Sequence, residues 1–307
     1  MRIYKDHRKI GWLRRFVAAF SLMIFALFSS GFLSSSQYAV HSSLVQAASR
    51  QARAERLRPP HVNARAAIVY DATDGQILYA KSADHPYYPA STTKLMTAIL
   101  LVTHTQPDDP IYLGPKAARQ AKVRLGVKPG TTMTSDEALR AILMKSANDV
   151  AYAIAETVGG SQEGFARMMN LKARLIGCRN TSFVTPNGLH DDDHRSSAHD
   201  IALILAEAIR YPRIINAMQT THCTVAGKSV QNGNRLIYVK QAPFGEIIGG
   251  KTGFTSKAMY CLAFAVRQHG HVRISVVLGA PRKSLMYSET RRLLTWSNKI
   301  LPSSSRS

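Results

Sequence analysis

The segment at residues 89–101, PASTTKLMTAILL, constrains the fold and the chemistry of this chain more than any other. It begins with a proline, which suits the first turn of a helix, and then becomes strongly apolar, which predicts a buried helix. Ser91 and Lys94 are three residues apart, so they share one face at the start of that helix. A serine needs a base to become a nucleophile, and a lysine serves if burial or a second positive charge keeps it neutral. The segment therefore predicts a nucleophile beside its base.

Two further motifs accompany this pair, and each occurs once in the chain. A Ser-Ala-Asn motif at residues 146–148 lies where one predicted helix meets the next, and a Lys-Thr-Gly motif at residues 251–253 lies in a glycine-rich extended stretch. Taken separately, the three motifs also fit a polar helix start, a helix cap and a solvated strand charge. Their joint occurrence in this order favours a single catalytic site.

Residues 66–300 resemble the low-molecular-mass penicillin-binding proteins of the D-alanyl-D-alanine carboxypeptidase family. The resemblance lies in PASTTKLMTA around the serine, TSFVTPNGLHDDDHRSSAHD at 181–200 and KTGFT at 251–255. Class A β-lactamases share the trio of motifs, although Ala147 here replaces their aspartate. The resemblance implies an α+β fold, in which an antiparallel sheet is flanked by helices and a helical subdomain is inserted between its N- and C-terminal strands (the DD-peptidase/β-lactamase-like transpeptidase fold). It also implies a serine-type carboxypeptidase that removes the terminal D-Ala from peptidoglycan stem peptides, in cell wall biogenesis.

The first two motifs are predicted to carry the chemistry. Ser91 is expected to attack the carbonyl between the two terminal D-alanines, and Lys94, kept uncharged by burial and by Lys251, to take its proton. Ser146 is expected to relay the proton to the departing amine. Asn148 is expected to offer its amide to the substrate backbone and to hold Lys94 in place. The result is an acyl-enzyme that water hydrolyses, with no cofactor and no metal.

The third motif is predicted to bind the substrate. Lys251 is expected on an edge strand, where Thr252 and Gly253 let a peptide add as an extra strand. The Lys251 ammonium and the Thr252 hydroxyl suit the terminal carboxylate of the substrate. By resemblance, the backbone N–H groups of Ser91 and Phe254 form the oxyanion hole.

Three departures from the family refine these expectations. No Glu-x-x-x-Asn motif occurs between the second and third motifs, so β-lactams are expected to acylate Ser91 and remain as covalent inhibitors. Met286 stands where relatives often carry an arginine that helps to hold the substrate carboxylate; Arg282 and Arg291 are the candidates to replace that arginine. The sequence also ends without the C-terminal β-domain of many carboxypeptidases. These features make a D-alanyl-D-alanine endopeptidase, which cleaves peptidoglycan cross-links by the same mechanism, the alternative function.

The charge of the chain predicts an anionic partner. The net charge is +21, and because the first 47 residues hold only six basic residues and one acid, the remainder keeps +16. Such an excess favours an anionic cell-wall polymer or lipid surface. Dispersed basic residues without a helix-turn-helix, zinc-finger or RNA-reading motif argue against nucleic acid. A non-catalytic cell-wall-binding protein is the alternative of another class, and the intact motifs argue against it.

Histidines and cysteines offer weaker signals. His190 and His194 bracket three aspartates at a spacing that suits a metal ion, but their neighbours match a loop of the family, which favours a solvated loop. Cys178, Cys223 and Cys261 are too few for a disulfide framework, so buried thiols are expected.

The amino terminus predicts export. Residues 1–47 combine a basic start, an uncharged apolar run at 16–33 and a small-residue exit, which is typical of a signal peptide or an N-terminal membrane anchor. The expected location is therefore the periplasm or the outer face of the cytoplasmic membrane. A basic linker at 48–62, a catalytic domain at 63–300 and a polar tail at 301–307 are predicted to follow.

Inside the predicted catalytic domain, the pattern of apolar and turn residues predicts the secondary structure. The expectations are strands at 66–70 and 76–81, a helix-rich insertion from 108 to 187 with a helix capped at Ser135, a hairpin of strands at 258–267 and 271–278, and a last helix at 288–300.

Overall fold

The computed structural model describes residue 45, residues 58–240 and residues 242–300. The chain divides into two units, Met1–Arg58 and Pro59–Ser307, and every numbered helix and strand belongs to the second. The predicted signal peptide or anchor, apart from Val45, and the polar tail lie outside the described residues. Within the described part of the chain, no helix combines the length and the apolar character needed to cross a bilayer.

A five-stranded antiparallel sheet forms the centre of the second unit. Its strands are β1 (Ala66–Asp71), β2 (Gln76–Lys81), β7 (Glu246–Thr255), β8 (Met259–Gln268) and β9 (His271–Ala280), in the order β2-β1-β9-β8-β7. Ala66 pairs with Leu278 and Asp71 with Arg273, so the first strand lies directly beside the last. The predicted sheet, interrupted by an insertion, is confirmed, and β7 is an edge strand.

The insertion contains most of the helices. The helices are α1 (Lys94–His104), α2 (Pro115–Ala118), α3 (Ser135–Arg140), α4 (Asn148–Gly159), α5 (Gln162–Ile176), α6 (Ala198–Ala208), α7 (Pro212–Gln219) and, after the sheet, α8 (Lys283–Ile300). Shorter elements are the 3-10 helices Ala90–Thr93 and Arg235–Tyr238, the π-helix Ala141–Lys145, and the strand pairs β3 (Pro110–Tyr112) with β4 (Thr132–Thr134) and β5 (His222–Val225) with β6 (Lys228–Gln231).

Both faces of the sheet are buried. Because alternate residues of a strand point to opposite faces, Ile68 of β1 joins the core of the insertion while Val69 joins a second core. The first core includes the apolar residues of α1, and the second includes Leu293 and Leu294 of α8. The sheet and α1 therefore hold the residues around Ser91 against a rigid support.

Several predicted element boundaries need correction. The cap of α3 is Thr134 rather than Ser135, because the Thr134 hydroxyl accepts from Glu137 N while the Glu137 carboxylate accepts from Thr134 N. Helix α8 begins at Lys283, five residues before the predicted start. Helix α7 was not predicted, since an eight-residue helix has little stability without its tertiary contacts. The three cysteines are free thiols; the expected burial is confirmed for Cys178 and Cys261, whereas Cys223 is half-buried.

Candidate active site

Ser91 and Lys94 are held together at the start of α1. Ser91 lies in the 3-10 helix Ala90–Thr93, where residues three apart eclipse each other, and Lys94 is the first residue of α1. The Lys94 Nζ atom lies 3.0 Å from Ser91 Oγ. Lys94 has no exposed surface, whereas Ser91 is half-buried, so a reactant meets the hydroxyl before the amine.

The Lys94 amine has two further partners, and both are acceptors. Its Nζ atom lies 2.8 Å from Asn148 Oδ1 and 2.7 Å from the Asn187 carbonyl oxygen. Burial holds the pKa of Lys94 well below its ordinary value, the charge of Lys251 lowers that pKa further, and Asp149 opposes both. A neutral amine has two N–H groups for these two oxygens, and its lone pair then faces the Ser91 hydroxyl.

The second motif adopts an irregular backbone. The π-helix Ala141–Lys145 ends at Ser146, whose φ of 67° is in the left-handed region that ordinary residues rarely adopt. Ala147, which is completely buried, closes the turn by donating its N–H to the Ala141 carbonyl. Asn148 then begins α4. This turn points the Ser146 and Asn148 side chains at two different lysines.

Asn148 is fixed on three sides. Besides accepting from Lys94, it donates its side-chain amide to the Ala121 carbonyl at 3.0 Å and its backbone N–H to the Val123 carbonyl at 2.8 Å. The side chain is therefore locked in one orientation, with its oxygen toward Lys94 and its nitrogen toward the segment at 120–126.

The third motif lies on the exposed edge strand β7, as predicted. Lys251 is buried, and its Nζ atom lies 3.0 Å from Ser146 Oγ and 2.8 Å from the Thr252 carbonyl. Burial lowers the pKa of Lys251 to about 7. A side chain at Gly253 would place its Cβ atom 2.9 Å from the Ser91 backbone nitrogen, so only glycine allows β7 to approach the nucleophile turn this closely.

Phe254 follows Gly253 and exposes 56% of its surface. Its ring lies against that of Tyr260 on β8, with 4.5 Å between the ring centroids. All three predicted motifs therefore meet in one place: Lys94 links Ser91 to Asn148, and Lys251 links Ser146 to β7.

Sequence reasoning missed two backbone features of the site. The Asn187 carbonyl oxygen accepts from Lys94, and Gly188, with a φ of 76°, packs so tightly that a Cβ atom there would overlap the Ala90 carbonyl oxygen. The Asn-Gly pair signals a turn in the sequence. The family resemblance places this turn near the active site, but its contacts with Lys94 and Ala90 were not predicted.

The role of His194 was missed as well. Its Nδ1 atom accepts from the backbone N–H groups of Val184 and Thr185, and its Nε2 atom lies 2.9 Å from Thr93 Oγ1. Both ring nitrogens are thus engaged with the chain itself. Residues 190–194 form a loop, as expected, but the expectation that this loop is solvated is wrong for His194, which is 1% exposed. His194 braces the nucleophile turn through Thr93.

The protonation state of His194 predicts a pH dependence of stability. Burial is the main cause that lowers its pKa from 6.5 to about 4. The unfolded chain therefore binds a proton between pH 6.5 and pH 4 that the folded chain does not, so the contribution of His194 is complete above pH 6.5 and is lost as the pH falls to 4. The loss amounts to about 3 kcal/mol in the free energy of unfolding.

Urea unfolding at pH 4 to 8 measures this contribution. The replacement His194→Gln is expected to flatten the dependence on pH, whereas the exposed His61→Gln is expected to leave it as in the unmodified protein. Parallel curves for the His194→Gln variant and the unmodified protein would contradict the assignment.

The sheet, the inserted helices and the clustered motifs define the class of DD-peptidase and penicillin-binding-protein folds. The profile of the D-alanyl-D-alanine carboxypeptidase family of peptidases matches residues 53–282. The chain belongs to this family, which confirms the resemblance drawn from its motifs.

Relatives agree with this assignment. The chain is 32% identical over 241 residues to the D-alanyl-D-alanine carboxypeptidase DacF of Bacillus subtilis, an alignment that covers 75% of this chain and 61% of the relative. It is 31% identical to a D-alanyl-D-alanine endopeptidase of Pseudomonas aeruginosa, over 75% of this chain and 76% of that protein. The crystal structure of the carboxypeptidase DacD from Francisella tularensis superimposes with a TM-score of 0.72 at 25% identity, covering 78% of this chain and 72% of that one.

The chain spans less than two thirds of several curated carboxypeptidases that it matches, namely 61%, 63% and 62% of their length for three of them.

Proposed function

We propose that this protein is a serine-type D-alanyl-D-alanine carboxypeptidase, which removes the terminal D-Ala of peptidoglycan stem peptides through an acyl-enzyme on Ser91. One observation carries the proposal: a fully buried amine, Lys94 Nζ, lies 3.0 Å from the Ser91 hydroxyl while its pKa is held well below the ordinary value. That arrangement supplies a base to a serine at neutral pH. We propose residues 63–300 as the catalytic domain and export as the route to its substrate.

The reaction begins when Ser91 Oγ attacks the carbonyl carbon between the two D-alanines. The hydroxyl proton passes to the lone pair of Lys94, whose two N–H groups stay on Asn148 Oδ1 and the Asn187 carbonyl. These two acceptors also stabilise the ammonium that forms, so the base is held in place through the proton transfer. The backbone N–H groups of Ser91 and Phe254 donate hydrogen bonds to the substrate oxygen, on which negative charge develops.

The tetrahedral intermediate collapses when its C–N bond breaks. The departing amine of D-alanine takes a proton from Ser146 Oγ, which is hydrogen-bonded to Lys251. Ser146 in turn takes up the proton that Lys94 accepted from Ser91, so the Ser146 hydroxyl and the neutral Lys94 amine are both restored. Water then attacks the ester on Ser91, with Lys94 again as the base, and releases the shortened peptide. Every proton in this cycle moves between side chains of the chain, substrate and water, so no cofactor is required.

Lys251 and Thr252 receive the free carboxylate of the substrate. The pKa of Lys251 is about 7 because the amine is buried, and a bound carboxylate favours its charged form. A charged Lys251 in turn lowers the pKa of Lys94. Substrate binding therefore lowers the pKa of Lys94 further and favours the neutral amine, which is the form that acts as a base.

Labelling with a fluorescent penicillin tests the catalytic proposal. A stable adduct on Ser91, located by mass spectrometry, is expected because the chain lacks the Glu-x-x-x-Asn motif that activates a deacylating water in class A β-lactamases. A folded protein that forms no adduct would support instead a non-catalytic cell-wall-binding protein.

An endopeptidase that cleaves peptidoglycan cross-links is the second candidate. Such an enzyme uses the same mechanism with a longer acceptor side, and it needs no strict selection for a free terminal carboxylate. Met286 of α8, which stands where relatives often carry an arginine, is 1% exposed and packs in the second core. The 31% identity to a protein named an endopeptidase points the same way.

Product analysis separates the two activities. Pentapeptide monomers and cross-linked dimers are incubated with the protein in separate reactions, and the products are resolved by chromatography. Release of free D-alanine from the monomer is the expected result. Consumption of the dimer alone would replace the carboxypeptidase with the endopeptidase.

A further inference from the structure

One wall of the site carries a run of positive charge without a single acid. Residues 110–135 contain no aspartate or glutamate but five basic residues, which we call the basic strip: Lys116, Arg119, Lys122, Arg124 and Lys128. Four of them are exposed, and the half-buried Arg124 donates to the Ala118 carbonyl. This segment therefore carries +5 of the chain's net charge of +21.

The basic strip is hydrogen-bonded to Asn148 of the second motif and to its neighbour Asp149. Ala121 and Val123, the neighbours of Lys122, both accept hydrogen bonds from Asn148, at 3.0 and 2.8 Å. The adjacent Asp149 carboxylate accepts from the backbone N–H groups of Leu125 and Gly126. The Asn148 side chain therefore connects Lys94 to the backbone next to Lys122.

The charges of the basic strip are not neutralised by ion pairs. Among residues 58–240 and 242–300, none of its five side chains takes part in a salt bridge. The Asp149 carboxylate is buried and engaged with backbone N–H groups. Glu156 lines a cleft that includes Lys116 and Arg119 but none of the other three residues of the strip. Lys122 and Lys128 are thus left to attract an anion from solution.

The hydrogen bonds of the site also give it a direction. At one end Lys251 and Ser146 face the place proposed for the terminal carboxylate, Ser91 and Lys94 follow, and Asn148 separates them from the basic strip. With the carboxyl end of a peptide placed at Lys251, the side of the site that Asn148 and the basic strip border is left for the residues that precede the two D-alanines.

We propose that the basic strip selects acidic acyl-donor peptides, whose free side-chain carboxylates upstream of the D-alanyl-D-alanine end lie against Lys122 and its neighbours. This inference rests on the proposed function, since it assigns the substrate class of the same site. Exposed ion pairs contribute modestly and are screened by salt, so the selection acts through several charges at once.

Two synthetic peptides test the proposal. Both end in D-alanyl-D-alanine and differ only in their upstream side-chain carboxylates, which are free in one peptide and amidated in the other. The measured quantity is the ratio of kcat/KM for the acidic peptide to kcat/KM for the amidated one. The unmodified protein is expected to show a ratio of about ten at low ionic strength, which falls toward one in about 1 M salt.

A triple variant removes the charge of the strip. Arg119→Gln, Lys122→Gln and Lys128→Gln together are expected to bring the ratio close to one. The matched control carries Arg167→Gln, Arg174→Gln and Arg179→Gln, three exposed arginines on or just after α5, a helix that holds none of the motif residues. The control loses the same total charge and is expected to keep the ratio of the unmodified protein.

Each other outcome overturns the proposal. An unchanged ratio in the strip variant, with penicillin labelling retained, removes the inference and leaves the proposed function standing. If that variant instead loses binding to vesicles of anionic phospholipid while its ratio is unchanged, the strip is a membrane contact. Absence of both labelling and peptide cleavage in the unmodified, folded protein removes the proposed function, and the inference with it.

Discussion

Replacement of Ser91 by alanine is expected to abolish the covalent adduct with a β-lactam and to lower kcat/KM for a D-alanyl-D-alanine peptide by about 10⁴-fold or more. The reason is that the reaction proposed here passes through an ester on Ser91 Oγ, and no other hydroxyl lies within hydrogen-bond reach of Lys94 Nζ in the described part of the chain. The residual rate would come from substrate binding and from the oxyanion hole alone.

The structure predicts that this variant folds normally. Ser91 is half-buried, its Oγ atom contacts only the Lys94 amine in the described structure, and alanine fits the space that it leaves. Intact-protein mass spectrometry after β-lactam treatment measures the adduct, and thermal unfolding checks the fold. Ser284→Ala, which changes an exposed serine at the start of α8, is the matched control. An adduct of undiminished yield on the Ser91→Ala protein would place the nucleophile elsewhere.

Replacement of Lys94 by methionine is expected to lower the rate of acylation by about 10³-fold while Ser91 remains in place. Methionine keeps most of the volume of the buried side chain but removes the amine, so the hydroxyl has no base. The substitution also leaves Asn148 Oδ1 and the Asn187 carbonyl without their donor. A lower melting temperature is therefore expected as well, and rates are compared well below it.

The pH profile separates a catalytic Lys94 from a merely structural one. In the unmodified protein kcat/KM is expected to fall on the acid side as Lys94 gains a proton, whereas the Lys94→Met variant has no such group to titrate. Lys299→Met, at an exposed position of α8, is the control and should retain the profile. An acid limb that persists unchanged in the Lys94→Met variant would show that another group is the base.

The chemistry of the site was largely predictable, because it depends on short-range spacing. Ser91 and Lys94 are three residues apart, and the contact between them follows from a single helical turn. The β8–β9 hairpin also follows from local patterns of apolar and turn residues, whereas the edge position of Lys251 was expected from the family resemblance. Short elements that depend on packing, as α7 does, have no local pattern that indicates them.

The supporting residues were not predictable, since each acts across a large separation in the chain. His194 reaches Thr93 over 101 residues, and Asn187 reaches Lys94 over 93. A histidine in an acidic loop has the same local pattern whether it binds a metal, faces solvent or braces a helix. Only its burial and its hydrogen-bond partners distinguish these cases.

By itself, the sequence determined the kinds of functional group that this protein brings to its reaction, because motifs of fixed spacing specify a hydroxyl, two amines and an amide. The tertiary structure alone decided that Lys94 loses its solvent, that Lys251 comes close enough to affect it, and that the basic strip is fastened to Asn148. The physical reason is that the pKa of an amine depends on its burial and on charges brought near it by folding, which no local pattern encodes.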